Sequence, residues 1–66
     1  MVATNLREIR KQRGLTQKEL SEKSGVARIS IARYESGKVI PGALNLMKLA
    51  KAMECNAEEI ITKKAG

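Results

Sequence analysis

The chain contains no histidine, no aspartate, no tryptophan and no phenylalanine, and it has only one cysteine, one proline and one tyrosine. Each shortage removes a class of function. Without histidine, a serine or cysteine nucleophile lacks its usual activating base. With Cys55 alone, no intrachain disulfide forms and no Cys/His cluster exists to hold a metal. Glycine-rich phosphate loops of the P-loop or dinucleotide type are also missing. A lone Glu or Lys retains some acid–base chemistry, yet the inventory as a whole reads as a binding protein with no catalytic residues, no metal and no cofactor. Cys55 fits a reducing cytoplasm and, by itself, reads as a small apolar filler. The opening MVATNLREIRKQRG offers no apolar run for a signal peptide or a membrane span, so a cytoplasmic location and no membrane partner are expected.

What is present is short, basic and helical. Sixty-six residues make one domain, 1–66, near the lower size limit for folding without cross-links. Thirteen Lys and Arg face seven Glu, a net charge of +6 that makes a polyanion a plausible partner but also serves solubility. Apolar residues recur at helical spacing, interrupted at short intervals. The first helix is expected to start near Asn5, with Glu8 as a reciprocal cap, to bury Leu6 and Ile9 and to end at Gly14. The second opens on the capping box T-Q-K-E, Thr16 to Glu19, anchors on Leu20 and breaks at Gly25; Ser21 is small enough to admit a neighbouring helix. The third runs from about Ala27 to Ser36 and stops at Gly37. Pro41 restricts Ile40 to extended geometry. A fourth helix, about Ala43 to Met53, shows one clean face of Leu46, Leu49, Ala50 and Met53. The fifth begins at Asn56, capped by Glu59, and contributes Ile60 and Ile61. The ordered core is expected over about 4–62, with 63–66 a frayed tail. The expected architecture is a compact all-α bundle of five helices.

Within the third helix, isoleucine occurs at both 29 and 31. At about 100° per residue these side chains lie roughly 200° apart around the axis, so only one of them faces a core. Two short helices joined by a glycine-bearing turn on a basic chain describe a helix-turn-helix. The spacing is more specific than that phrase. From Leu15 to Lys38 the chain reads L-T-Q-K-E-L-S-x-x-S-G-V-x(4)-I-x-x-Y-E-S-G-K. This resembles the phage repressor/Cro type of helix-turn-helix, the xenobiotic-response-element family, over roughly residues 5 to 62.

The resemblance implies a lambda-repressor-like fold with helix three lying in the major groove of double-stranded DNA. Ile31 and Tyr34 would pack on helix two. Arg28, Ile29, Ala32 and Arg33 would form the base-contacting face, with Thr16, Gln17, Ala27, Ser36 and Lys38 at the backbone. An aliphatic group beside two arginines suits a thymine methyl, and arginine pairs bidentately with guanine. Two other roles stay open for Ile29: packing against a neighbouring subunit, or incidental exposure. Arg28 and Arg33 also have the alternative of being a solvated face, Thr16 is at least a cap, and Lys38 is nearly as well explained as an uncommitted surface lysine. The resemblance further implies a structural ion pair between Arg10 and Glu35, against the alternative of two independent surface charges.

The sequence departs from the family pattern in places. Ala27 stands where Ser or Thr usually caps helix three, a loss of about 1 kcal/mol. Gly42 replaces a usual serine cap, and Leu44 is expected to be exposed. With Met47 and Ile61 it is a candidate dimer surface, partial burial within the monomer being at least as good an account. The functional expectation is a bacterial or phage-encoded, nucleoid-associated regulator of transcription. It would act more as a repressor than an activator, binding an inverted repeat as a homodimer with no small-molecule ligand. A protein–protein adaptor built on the same fold is the competing reading. A basic membrane-surface helix conflicts with helices this short and repeatedly capped.

Overall fold

Thr16 and Glu19 start a helix in the way their spacing predicts. The Glu19 N–H donates to the Thr16 hydroxyl at 3.0 Å, and the Thr16 N–H donates to the Glu19 carboxylate at 2.8 Å. Two backbone donors that no helix can satisfy internally are thereby paired. This helix is the second of five in the computed structural model, which describes residues 4–61. The elements are α1 (Leu6–Gln12), α2 (Gln17–Ser24), α3 (Arg28–Ser36), α4 (Ala43–Ala52) and α5 (Ala57–Ile61), with no strand among the described residues. The expected tail, 63–66, and residue 62 of the expected core lie outside the described residues.

Packing joins α2 to both α3 and α4, α4 to α5, and α1 to α3 and α5. The core is built from Leu6 and Ile9 of α1, Leu20 of α2, Val26 of the turn, Ile31 and Tyr34 of α3, Leu49 and Ala50 of α4, and Met53 and Ile60. Leu6, Leu20, Ile31, Leu49 and Ile60 are wholly removed from solvent, and each fully buried aliphatic contributes about 1.5–3 kcal/mol. Leu46 packs against this core only partly buried. Ile61, expected alongside Ile60, instead faces outward. Successive residues of a helix differ by about 100°, and in the short α5 Ile60 takes the core-facing position while Ile61 lies on the flank.

The start of α1 also differs from expectation. Asn5 makes no side-chain cap bond to its own helix; its amide donates across the molecule to the Glu59 carbonyl at 2.9 Å, and its backbone N–H donates to the Ile60 carbonyl at 2.8 Å. The residue thus fastens the beginning of the chain to α5. Ser21 does more than leave room for a neighbour, because its hydroxyl donates to the Val26 carbonyl at 2.7 Å and closes the α2–α3 turn.

Three helices end on one hydrogen-bonding pattern. After α1, the Leu15 N–H reaches back to the Arg10 carbonyl; after α3, Lys38 reaches Arg33; after α4, Cys55 reaches Ala50. Each is a Schellman closure, which places the residue before the donor in the left-handed region. Those residues are Gly14, Gly37 and Glu54, with φ of 69°, 81° and 54°. Glycine adopts this geometry freely, whereas a residue with a Cβ meets steric strain of about 1–2 kcal/mol. Glu54→Gly is therefore expected to stabilise the domain by up to about 1 kcal/mol, after allowance for the looser unfolded chain. That gain raises the thermal midpoint by roughly 4–8 °C in a domain of this size. An unchanged or lowered midpoint would show that Glu54 has compensating contacts.

Candidate nucleic-acid interface

Helix α3 has two dissimilar sides. Ile31 and Tyr34 enter the core, while Ile29, one turn-fraction away, is 63% exposed between the exposed Arg28 and Arg33. Ala32 is half-buried at the edge of the outward face, and Ser36 is exposed at its end. The Ser36 hydroxyl donates to the Arg33 carbonyl within its own helix. Ala27, at the N-cap position, makes no side-chain cap bond, as alanine must. Lys38 is exposed, its backbone fixed by the closure at Gly37.

The buried side of α3 is held from every direction. Glu35 accepts from Arg10 Nε at 2.7 Å and from a terminal guanidinium nitrogen at 3.1 Å, a two-pronged ion pair. The two side chains are 10% and 6% exposed. The remaining guanidinium nitrogen donates to the Leu15 carbonyl at 2.8 Å. The hydrogen bond to Glu35 holds the Arg10 guanidinium above its already high ordinary pKa, against the opposing effect of burial. Arg10 of α1 and Glu35 of α3 therefore form one charged unit through which α1, α3 and the α1–α2 turn are joined.

Three further bonds complete this anchorage, and none of them is signalled by a local sequence pattern. The Gln17 side-chain amide donates to Glu35 Oε1 at 3.1 Å, which brings α2 into the same cluster. Asn45 of α4 donates to the Tyr34 hydroxyl at 2.9 Å, and the Thr4 hydroxyl donates to the Tyr34 carbonyl at 3.2 Å. Elsewhere Arg13 donates to the Met53 carbonyl at the end of α4, 2.8 Å away. Cys55 lies near this point, and burial and the charge of Glu59 push its thiol pKa up, with Arg13 opposing.

Thr16 is exposed and Gln17 half-buried at the opening of α2, where Gln17 is tied to α3 through Glu35. Leu44 and Met47 of α4 are 66% and 65% exposed, and Ile61 is 44% exposed. No helix among the described residues is long and apolar enough to cross a membrane.

A pair of short helices locked at a glycine turn, the second presenting a free basic and apolar face, defines a helix-turn-helix domain. The chain belongs to the Helix-turn-helix family HTH_3, whose model matches residues 6–60, from the start of α1 into α5. This is a family of DNA-binding regulators of transcription, not of enzymes. An HTH-type transcriptional regulator of Sinorhizobium fredii is 31% identical over 62 residues, covering 94% of this chain and 80% of the relative. Among solved structures, the restriction-modification controller protein C.AhdI of Aeromonas hydrophila matches with a TM-score of 0.78 at 34% identity, over 83% of each chain. The repressor c2 of phage P22, in complex with a synthetic operator, matches with a TM-score of 0.81 at 27% identity, over 91% of each chain.

Proposed function

We propose that this protein is a sequence-specific repressor that binds an inverted-repeat operator in double-stranded DNA as a homodimer, acting by occupancy of the site. One observation carries the reading: α3 buries Ile31 and Tyr34 while presenting Arg28, Ile29 and Arg33 together on its free side. That face combines donors for guanine with an aliphatic group for a thymine methyl, and Ala32 at its edge lets the helix approach the bases closely. The operator complex of the P22 c2 repressor, a structural neighbour, is in keeping with this mode.

Backbone contacts then fall to the margins of α3. Thr16 and Gln17 sit at the opening of α2, where unpaired N–H groups and the helix dipole favour a phosphate. Ala27 offers only its main chain. Ser36 and Lys38 lie at the far end, beside the opposite strand. One short helix reads few base pairs, so two copies on half-sites about one helical turn, roughly 34 Å, apart supply the rest. The exposed Leu44, Met47 and Ile61 are the surface on which the second copy would seat. Control would come from its own concentration, from autoregulation or from a partner protein, with the protein acting in the cytoplasm on the nucleoid.

Selection from random duplex DNA with the purified protein tests the reading. The expected winner is a short inverted repeat whose affinity falls steeply with salt. Arg33→Ala is then expected to cost about 1–3 kcal/mol and to relax preference at one base position; Arg28→Ala and Ile29→Ala act similarly at neighbouring positions. A uniform loss over all sequences would reduce these side chains to phosphate contacts. Failure to bind any duplex at low salt would favour the adaptor reading.

A further inference from the structure

Helix α5 has only five residues, far fewer than a helix needs to persist on its own. The last four carbonyls of any helix have no partner within it. In α5, two of them are taken by Asn5, whose backbone N–H donates to the Ile60 carbonyl at 2.8 Å and whose amide donates to the Glu59 carbonyl at 2.9 Å. The peptide that carries the Ile60 carbonyl leads directly into Ile61, the exposed isoleucine of the proposed docking surface. Asn5 therefore sets where the α5 part of that surface stands.

The residue before it reaches the other way. Thr4 is half-buried, and its hydroxyl donates to the Tyr34 carbonyl at 3.2 Å, 30 positions along the chain. That carbonyl also accepts from the Gly37 N–H at 3.2 Å, so the last turn of α3 has one fastening of its own and one from the start of the chain. Tyr34 is the neighbour of Arg33, which stands on the outward face. Two adjacent residues thus connect the clamped end of α5 to the helix proposed to read DNA. Packing backs this short route, since α1, which follows it directly, contacts both α3 and α5.

We propose that Thr4 and Asn5 form a strap through which the seating of a second copy on α5 and the placing of α3 on DNA favour each other. Both are positioning residues and touch neither the partner nor the DNA. The inference rests on the homodimer reading above and adds to it a coupling inside each copy, beyond the gain from linking two half-sites. A copy seated on Ile61 holds α5 in its helical form, and with it both acceptors of Asn5. Thr4 is then kept against the end of α3. Linkage makes the effect reciprocal, so DNA held by α3 tightens assembly by the same factor. The loss of one such hydrogen bond corresponds to a factor of about five.

The test measures dimer dissociation by sedimentation, with and without a saturating short duplex that holds one half-site of the selected operator, so that no DNA links the two copies. The unaltered protein is compared with Thr4→Val, which keeps the shape and loses the donor, with Thr4→Ser, which keeps the donor, and with Asn5→Ala, which opens the strap at α5. The half-site is expected to tighten dimerisation of the unaltered protein and of Thr4→Ser about fivefold. Thr4→Val and Asn5→Ala are expected to lose this tightening, whatever each does to the thermal midpoint or to assembly of the free protein. A merely structural role would shift the midpoint and leave the difference between free and DNA-bound dimerisation in place. No tightening in the unaltered protein would overturn the inference while leaving the homodimer and DNA readings intact. Tightening that survives in Thr4→Val or in Asn5→Ala, or that is lost in Thr4→Ser, would overturn it as well, because the coupling would then run by another route. A protein that stays monomeric with and without the half-site would remove the homodimer reading and this inference with it.

Discussion

Glu35→Ala is expected to leave little folded protein at room temperature. The substitution strands the Arg10 guanidinium in a site where its side chain is only 10% exposed, and breaking one partner of a buried pair costs about 3–5 kcal/mol. Domains of this length seldom have more than about 3–5 kcal/mol in total. Gln17 loses its acceptor at the same time, so three helices lose a common fastening. Arg10→Ala is expected to be nearly as damaging, since it leaves the Glu35 carboxylate with Gln17 alone.

The informative variant is the double one. Replacing the pair with well-packed apolar residues, Arg10→Met with Glu35→Leu, removes the desolvation of two charges together with their attraction. It is expected to be far more stable than either single alanine variant. Urea midpoints of the set decide the matter. Losses that simply add would mean that the two side chains act independently, contrary to the geometry. A stable double variant that binds DNA poorly would show that the pair serves the placing of α3 more than the stability of the fold.

The second large effect concerns assembly. Leu44 and Met47 are three residues apart, hence on one face of α4, and each is about two-thirds exposed. Changing both to lysine leaves the monomer's core untouched and places like charges across any two-fold contact made there. The double variant is expected to sediment as a folded monomer. Its operator affinity is expected to fall by about 10²–10⁴, the advantage that linked binding of two half-sites confers. Binding to a single half-site is expected to change little. A variant that remains dimeric would move the interface away from α4, and Ile61 would be the next position to alter.

Much of the frame is local and was therefore readable from the chain. T-Q-K-E announces α2 because a capping box needs only residues three apart. Gly25 and Gly37 announce their turns because left-handed backbone favours glycine. The opposition of Ile29 and Ile31 follows from helical geometry alone, and the exposure of Ile29 agrees with it. The Arg10–Glu35 bond is of another kind: 25 positions separate the partners, and only resemblance to a family suggested them.

Where no such guide existed, the chain was silent or misleading. Asn5 looks like a helix cap, yet its amide serves α5, 54 positions away. Glu54 carries no sign of its left-handed backbone, because the closure after α4 imposes it on whatever residue stands there. Asn45 and Tyr34 meet only once α3 and α4 have packed. Ile61 reads as core by composition, but a five-residue helix is too short for periodicity to sort its two isoleucines.

Tyr34 and Glu35 fasten α3, while Arg28, Ile29 and Arg33 stand clear of the fastening. The two sets do not overlap. Substitutions on the outward set leave the clamps from Thr4, Arg10, Gln17 and Asn45 in place, and exposed positions of this kind usually change stability by no more than about 0.5 kcal/mol. A descendant of this protein can therefore exchange the residues facing outward, one or several at a time, without passing through an unfolded intermediate. If the proposed base contacts hold, the same separation makes the domain a serviceable chassis for deliberate retargeting, in which libraries at 28, 29 and 33 would sample new preferences against a constant background of folding.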